Sequence, residues 1–442
     1  MSHVFHRHCH HLPPTIASGN GMYLIDTQGN EYLDACGGAA VSCLGHNHPT
    51  VLEAIHRQLD AIPYAHTGFF TSAPSEALAE KLADLAPTSI NHAYLVSGGS
   101  EAMETALKLA RQYWVEVGEP QRQHFIARRQ SYHGNTLGAL SVGGNAWRRA
   151  PFAPLLMDTS LIAPCYAYRD QGPDETAYEY GQRVANELEA MLLEKGPDTV
   201  IGFVAEPVVG ATAGALTAEA GYFSRIRAIC DQYNILLILD EVMCGTGRTG
   251  RFFAFEHEDI VPDIVAIAKG LAAGYQPIGA TLVSDRLYEA IASGSGFFQH
   301  GHTFMAHPTA CAAALATLTT LEQERLVDAA EKQGKALKTA LHHQFDSHPF
   351  VGDIRGRGLF VALELVADKT SKRPFSSDLA LHQTIKHTAM HNGLMCYPMG
   401  GTIDGKQGHH ILLAPPYIIE STHIAAITDK LALTLEMCLP SQ

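Results

Sequence analysis

Five apolar runs in this 442-residue chain each stop at residues that can do chemistry. The run at 92–96 leads into Ser97, Gly98, Gly99 and Ser100, and the run at 125–127 is followed within a few residues by Tyr132, His133 and Gly134. Residues 200–205 stop at Glu206, 234–239 at Asp240 and Glu241, and 263–268 at Lys269 and Gly270. Beyond Ser100, Met103, Ala106, Leu107, Ala110 and Trp114 fall on one face of an amphipathic helix. Its first-turn amides lack intrahelical acceptors and carry the positive end of the dipole, and the glycines admit a phosphate to the backbone. A plain glycine turn before a helix reads the same way.

Asp240 closes an apolar run, where an ionised carboxylate wants a cationic partner. A protonated pyridine nitrogen supplies one and keeps the ring a strong electron sink. Lys269 alone reads as a strand's exit to solvent. Beside such an aspartate and a phosphate site, it faces a ring anchored at both ends, and an aldehyde cofactor needs that amine to form a Schiff base. Tyr132 and His133 could lay a ring against a flat cofactor, or pack in the core.

Other patterns compete. Residues 235–241 have the hhhhDE form of a Walker B strand, but the chain contains no GxxxxGK[ST] loop. Gly245, Gly247 and Gly250 spell GxGxxG, yet they stand several residues past the strand and precede the bulky RFFAFEH, so a coincidental turn is expected. His300 and His302 lie in FFQHGHTF without HExxH or a nearby carboxylate, and no metal is expected there. His3, His6, His8, Cys9, His10 and His11 read as a solvated arm. Nine scattered cysteines with no CxxC pair suggest reduced core residues.

The net charge of −14, with Arg128 and Arg129 taken as the one conspicuous basic pair, argues against nucleic acid. No apolar stretch reaches the roughly 18 residues of a membrane span, and the opening residues have no signal-peptide core, so a cytoplasmic protein without a membrane partner is expected.

The elements that must position these groups form an α/β pattern between about Asn91 and Phe304, with a largely parallel sheet whose carboxyl ends converge on one pocket. MYLID and EYLDA flank a turn containing Gly29 and Asn30, an expected hairpin. The last third mixes a charged helix at about 321–342 with strands at GLFVALELV and HHILLAPP. The boundaries expected are 1–60 for an N-terminal part of a small α+β domain, 61–325 for the large domain and 326–442 for the rest of the small one.

With these residues assembled, the chain resembles the class III aminotransferases, a subgroup of the fold-type I pyridoxal-phosphate enzymes. The likeness runs through GHNHP at 45–49, SGGSEAMETALKLAR, SYHG, AEP, DEVMCGTGRTG, IAKGLAAGYQPIGA, GHTFMAHPTACAAAL, RGRGLF and LAPP. It implies pyridoxal 5'-phosphate as cofactor, Lys269 as its Schiff-base lysine and general base, and Asp240 as partner of the ring nitrogen. It also implies Gly99 and Ser100 at the phosphate, Tyr132 stacked on the ring next to His133, Val242 on the opposite face and Glu206 nearby. Thr303 of GHTF would reach the phosphate in the neighbouring subunit, which implies a homodimer with shared active sites.

The implied reaction is ping-pong transfer from an amino donor to a 2-oxo acid such as pyruvate or 2-oxoglutarate. A decarboxylase, racemase or epimerase of the same fold is the alternative, and a noncatalytic pyridoxal-phosphate sensor a weaker one. One departure matters. Ornithine aminotransferase-like members carry an arginine two positions before APP, able to bind an α-carboxylate, and here that position is Leu412. Donors with an amine remote from any carboxylate are therefore expected: ω-amino acids, diamines or simple amines. Arg248, Arg355, His409 and His410 are the candidate compensating groups.

Overall fold

A computed structural model describes residues 2–10 and 12–440; His11 of the N-terminal arm lies outside them. The hairpin expected near the N-terminus forms from β2 (Tyr23–Asp26) and β3 (Glu31–Asp34), with Tyr23 opposite Leu33. Gly29 takes φ 86° in the turn, a region strained for any L side chain, and the N–H groups of Gln28 and Asn30 donate to Asp26 Oδ1 at 2.8 and 2.9 Å. A strand with no clear apolar alternation, β1 (Ile16–Asn20), pairs with the free side of β2.

The central sheet takes β4 (Ile90–Val96), β5 (His124–Arg128), β6 (Thr159–Ile162) and β7 (Val200–Ala205). A short ribbon, β8 (Val208–Val209) with β9 (Leu216–Thr217), intervenes before β10 (Leu236–Asp240), β11 (Ile264–Ile267) and β12 (Gly279–Ser284) complete it. The order is β4-β12-β11-β10-β7-β5-β6. Only β12 runs against its neighbours β11 and β4. The five strands that end in reactive residues therefore point the same way. Every residue of β7, β10 and β11 is buried, which is why they read as unbroken apolar runs. β12 begins inside GLAAGYQPIGA, whose small residues suggested only a loop.

Helix Gly99–Glu116 buries Met103, Ala106, Leu107, Ala110 and Trp114, and the Trp114 indole N–H donates to the Ile201 carbonyl at 3.0 Å. Burial of each large side chain here contributes about 1.5–3 kcal/mol, so the helix start is held firmly against the sheet.

The charged C-terminal helix is Leu326–Phe345, separated from helix Pro308–Gln323 by Arg325 at φ 51°. The expected start at Leu321 thus falls in the preceding helix, because a left-handed residue ends one run and begins the next. Beyond it lie β13 (Val351–Arg357), β14 (Phe360–Leu365), β15 (Leu394–Met395), β16 (Tyr397–Gly400) and β17 (His409–Leu413). β13-β14-β17-β16 form an antiparallel sheet, whereas β15 leaves it and pairs in parallel with β3. Seven cysteines are buried and none is bonded to another. Among the described residues, no helix is long and apolar enough to cross a membrane.

Candidate active site

The strand ends meet at a cavity of about 450 Å³. Gly99, Ser100, Tyr132, His133, Glu206, Asp240, Val242 and Lys269 all line it. Thr303 does not; it is exposed on the single chain, where its carbonyl accepts the Tyr64 hydroxyl at 2.9 Å.

The glycines at the helix start have different reasons. A Cβ on Gly99 would stand 2.8 Å from Val242 Cγ1, so any side chain there would displace Val242. A Cβ on Gly98 would meet nothing within 4 Å. Space is thus left beside the helix start. The Ser100 hydroxyl is oriented by Asn135, accepting its N–H at 3.1 Å and donating to its Oδ1 at 3.2 Å.

Asp240 is fixed at both oxygens. Oδ1 accepts the Val242 N–H at 2.9 Å, and Oδ2 lies 2.8 Å from His133 Nδ1. Both side chains are buried, and His133 Nε2 has no partner among the described residues. Glu241 turns the other way and accepts the N–H groups of Ala254 and Phe255 at 2.6 and 2.8 Å. The second acid of the Walker-like pattern is therefore a loop clasp. Gly247 and Gly250 sit at φ 88° and 87° in turns that open no helix, so the GxGxxG spelling has no dinucleotide geometry.

Lys269 takes φ 48° directly after β11, a left-handed conformation that costs a non-glycine residue about 1–3 kcal/mol and clusters at functional sites. Burial pushes its amine down to about 8, against the opposing pull of Asp240 and Glu206. Burial pushes Glu206 up to about 7; His133 and Arg128 pull it down, while Asp240 adds to the rise. Glu206 Oε1 accepts the Gly210 N–H at 3.3 Å and Oε2 has no partner among the described residues. Two groups whose proton affinities burial brings toward the neutral range thus line one cavity.

Leu412 is buried in a cluster with Ala40, Val208, Cys244 and Ala414; Val208 and Cys244 also line the cavity. None of the candidate compensating groups lines the cavity. Arg355 is engaged by Glu364, Asp353 and the carbonyls of Ala213 and Gly214. Arg248 donates from Nη1 to the carbonyls of Leu359 and Pro415 and lies over the Tyr417 ring; its Nε and Nη2 are buried without a partner among the described residues, but it does not line the cavity. Burial pushes His409 and His410 down to about 4 and about 3, so both are neutral at pH 7.

The sequence carried a second basic pair, Arg148 and Arg149, fifteen and sixteen residues past His133, and its proximity to SYHG was the available signal. Arg148 lies with its guanidinium carbon 4.6 Å from the centroid of the Tyr132 ring.

The likeness to known proteins is extensive. The sequence model of the class III aminotransferases matches residues 4–435. An uncharacterized aminotransferase of Schizosaccharomyces pombe is 45% identical over 439 residues, covering 98% of this chain and 95% of that one. The putrescine–pyruvate aminotransferase of Pseudomonas aeruginosa is 34% identical, covering 97% and 94%. The crystal structure of a thermostable (S)-enantioselective omega-transaminase from Thermomicrobium roseum matches with a TM-score of 0.91 at 35% identity, covering 97% of this chain and 93% of that one. A fold-type I scaffold, a lysine and an aspartate at the ends of adjacent strands, and a match across nearly the whole sequence lead to one conclusion: the chain belongs to the class III aminotransferases, pyridoxal-phosphate-dependent enzymes that move an amino group from an amino donor to a 2-oxo acid.

Proposed function

We propose that the cavity holds pyridoxal phosphate with Gly99 and Ser100 at the phosphate, Asp240 at the ring nitrogen, Tyr132 and Val242 on opposite faces and Lys269 at the aldehyde. The fit rests on the open space beside Gly98, on the doubly held Asp240 carboxylate and on the unpartnered Glu206 Oε2. When bound, the coenzyme supplies an aldehyde for the amino group and a ring that withdraws electrons. Asp240 keeps a proton at the ring nitrogen, and His133 fixes that carboxylate. Lys269, with its amine held near 8, loses its charge more readily than an exposed lysine and can take a proton from the substrate carbon and return it. Glu206, beside the ring, can exchange a proton near neutral pH.

The favoured donors in this reading have an amine remote from any carboxylate: ω-amino acids, diamines or simple amines, with pyruvate or 2-oxoglutarate as acceptor. The apolar surroundings of Leu412 carry it, since leucine offers an α-carboxylate no donor and burying that anion against it is costly. A panel of diamines, ω-amino acids, simple amines and α-amino acids, each assayed with pyruvate and with 2-oxoglutarate, tests it. An efficiency ranking led by common α-amino acids refutes it.

A homodimer in which Thr303 serves the partner's phosphate belongs to the same proposal. Exposed Phe69, Phe70, Phe297 and Phe304 support an interface, being large apolar groups that a monomer would leave in water. A fully active monomer in sedimentation at assay concentration refutes it. We further assign 61–325 to a large domain and 1–60 with 326–442 to a small one, supported by the pairing of β15 with β3, and place the enzyme in the cytoplasm.

A further inference from the structure

With Leu412 in an apolar wall, Arg355 paired with Asp353 and Glu364, and Arg248 fully buried against the Tyr417 ring, the oxo acid's carboxylate needs another cation. We propose that Arg148 is that group: its guanidinium binds the carboxylate of the 2-oxo acid, and of ω-amino acid donors, at the Tyr132 side of the cavity. The proposal rests on reading that cavity as the coenzyme site.

Three observations carry it. First, the backbone beneath Arg148 is fixed. It lies in the short helix Ala146–Arg149, whose cap, Asn145, accepts the Arg148 N–H at 3.2 Å and donates from Nδ2 to Gln130 Oε1 at 3.2 Å. Second, the head is free. Arg148 forms no ion pair, and its guanidinium has no hydrogen bond among the described residues; Nε is buried without a partner. Adjacent Arg149 shows the contrast, since its Nη1 donates to the carbonyls of Leu140, Ser141 and Gly143. Third, the free head lies against the cavity's own aromatic wall, 4.6 Å from the Tyr132 ring centroid. Its positive charge also reaches Lys269, where it adds to the depression of the amine.

A half-buried guanidinium with unused donors is an anion receptor, and its planar fork matches a carboxylate bidentately. The competing role is a brace, in which the cation only stacks on Tyr132. The two predict different kinetics. A receptor affects only substrates that bear a carboxylate; a brace affects every substrate alike.

The half-reactions of the holoenzyme separate these roles. 1-Phenylethylamine, which has no carboxylate, is used to aminate the coenzyme, and pyruvate or propanal to reset it. In Arg148→Gln we expect the amine half-reaction to stay within about twofold. The pyruvate concentration at half-saturation should rise about 10- to 100-fold, the loss typical of a charge-assisted contact, with propanal unaffected. Inhibition by propionate should weaken by a similar factor. Arg148→Lys keeps the charge and the stacking but not the fork, and should fall between the two. An unchanged dependence on pyruvate, or equal losses with pyruvate and propanal, overturns the proposal. Failure of the coenzyme-site reading itself would appear instead as turnover surviving the loss of Lys269.

Discussion

His133 Nδ1 and Asp240 Oδ2 stand 2.8 Å apart inside the protein, and the other oxygen of that carboxylate takes the Val242 N–H. Asp240→Asn keeps the shape and can keep one oxygen acceptor, so it removes a charge without opening a hole. The single-turnover rate is expected to fall at least about 100-fold while unfolding free energy changes by less than about 2 kcal/mol. Urea melts and single-turnover kinetics on one preparation check both. A large stability loss with a normal rate would make Asp240 a structural carboxylate.

Lys269 makes a prediction about the coenzyme-free protein. Its folded value of about 8 lies below the ordinary 10.5, so between these pH values the unfolded chain binds more protons and stability rises with pH. Below about 8 the penalty is complete, on the order of 3 kcal/mol. Lys269→Met fills similar space without the charge. The coenzyme-free variant is therefore expected to be more stable than the parent at pH 7, with the gap closing toward pH 10.5, while borohydride fixes no coenzyme to it and turnover stops. Retained activity, or a stability gap independent of pH, would contradict the assignment.

How far the sequence carried depended on the kind of signal. β7, β10 and β11 were legible because buried parallel strands are written as apolar runs, and Asp240 and Lys269 followed from where those runs stop. β1 and β12 were not, since IASGN has no alternation and β12 opens among small residues that spell a loop as well as a strand. Pairings across long separations are invisible to local pattern. The His133–Asp240 contact joins residues 107 apart, and Arg148 reaches the Tyr132 ring only because Tyr132 and the turn at Asn145 fold back on each other. The candidates Arg248 and Arg355 had the right chemical type, but the carbonyls that hold them, those of Leu359 and Pro415 for Arg248 and of Ala213 and Gly214 for Arg355, lie far away in the chain.

Glu206 titrates in the opposite sense to Lys269. Its folded value of about 7 lies above the ordinary 4.5, so the stability present below pH 4.5 is lost as pH rises to about 7. Glu206→Gln abolishes that term but retains an acceptor for the Gly210 N–H. Relative to the variant, the coenzyme-free parent should lose roughly 2–3 kcal/mol between pH 4.5 and 7.5, measured by urea unfolding at one protein concentration. Parallel pH profiles would mean that Glu206 is not held in a dry site.

The wall at Leu412 can be tested by restoring a cation. Leu412 pairs with Ala362 on β14 and packs beside Val208 and Cys244, so a guanidinium there would enter an apolar layer. Leu412→Arg is therefore expected to destabilise the protein by about 3–5 kcal/mol, the usual result of an uncompensated buried charge. A ligand carboxylate that reaches it would recover part of that loss. Alanine, added in excess, should raise the melting temperature of the variant more than that of the parent, because the variant gains on binding an ion pair at position 412 beyond any the parent makes. The donor ranking should move with it, α-amino acids gaining on 1-phenylethylamine in kcat/KM, since the same contact that stabilises the bound α-carboxylate gives nothing to an uncharged substituent. If the variant folds and alanine shifts neither melting temperature nor ranking, the side chain at 412 does not face the donor's carboxylate, and the preference for remote amines must have another origin.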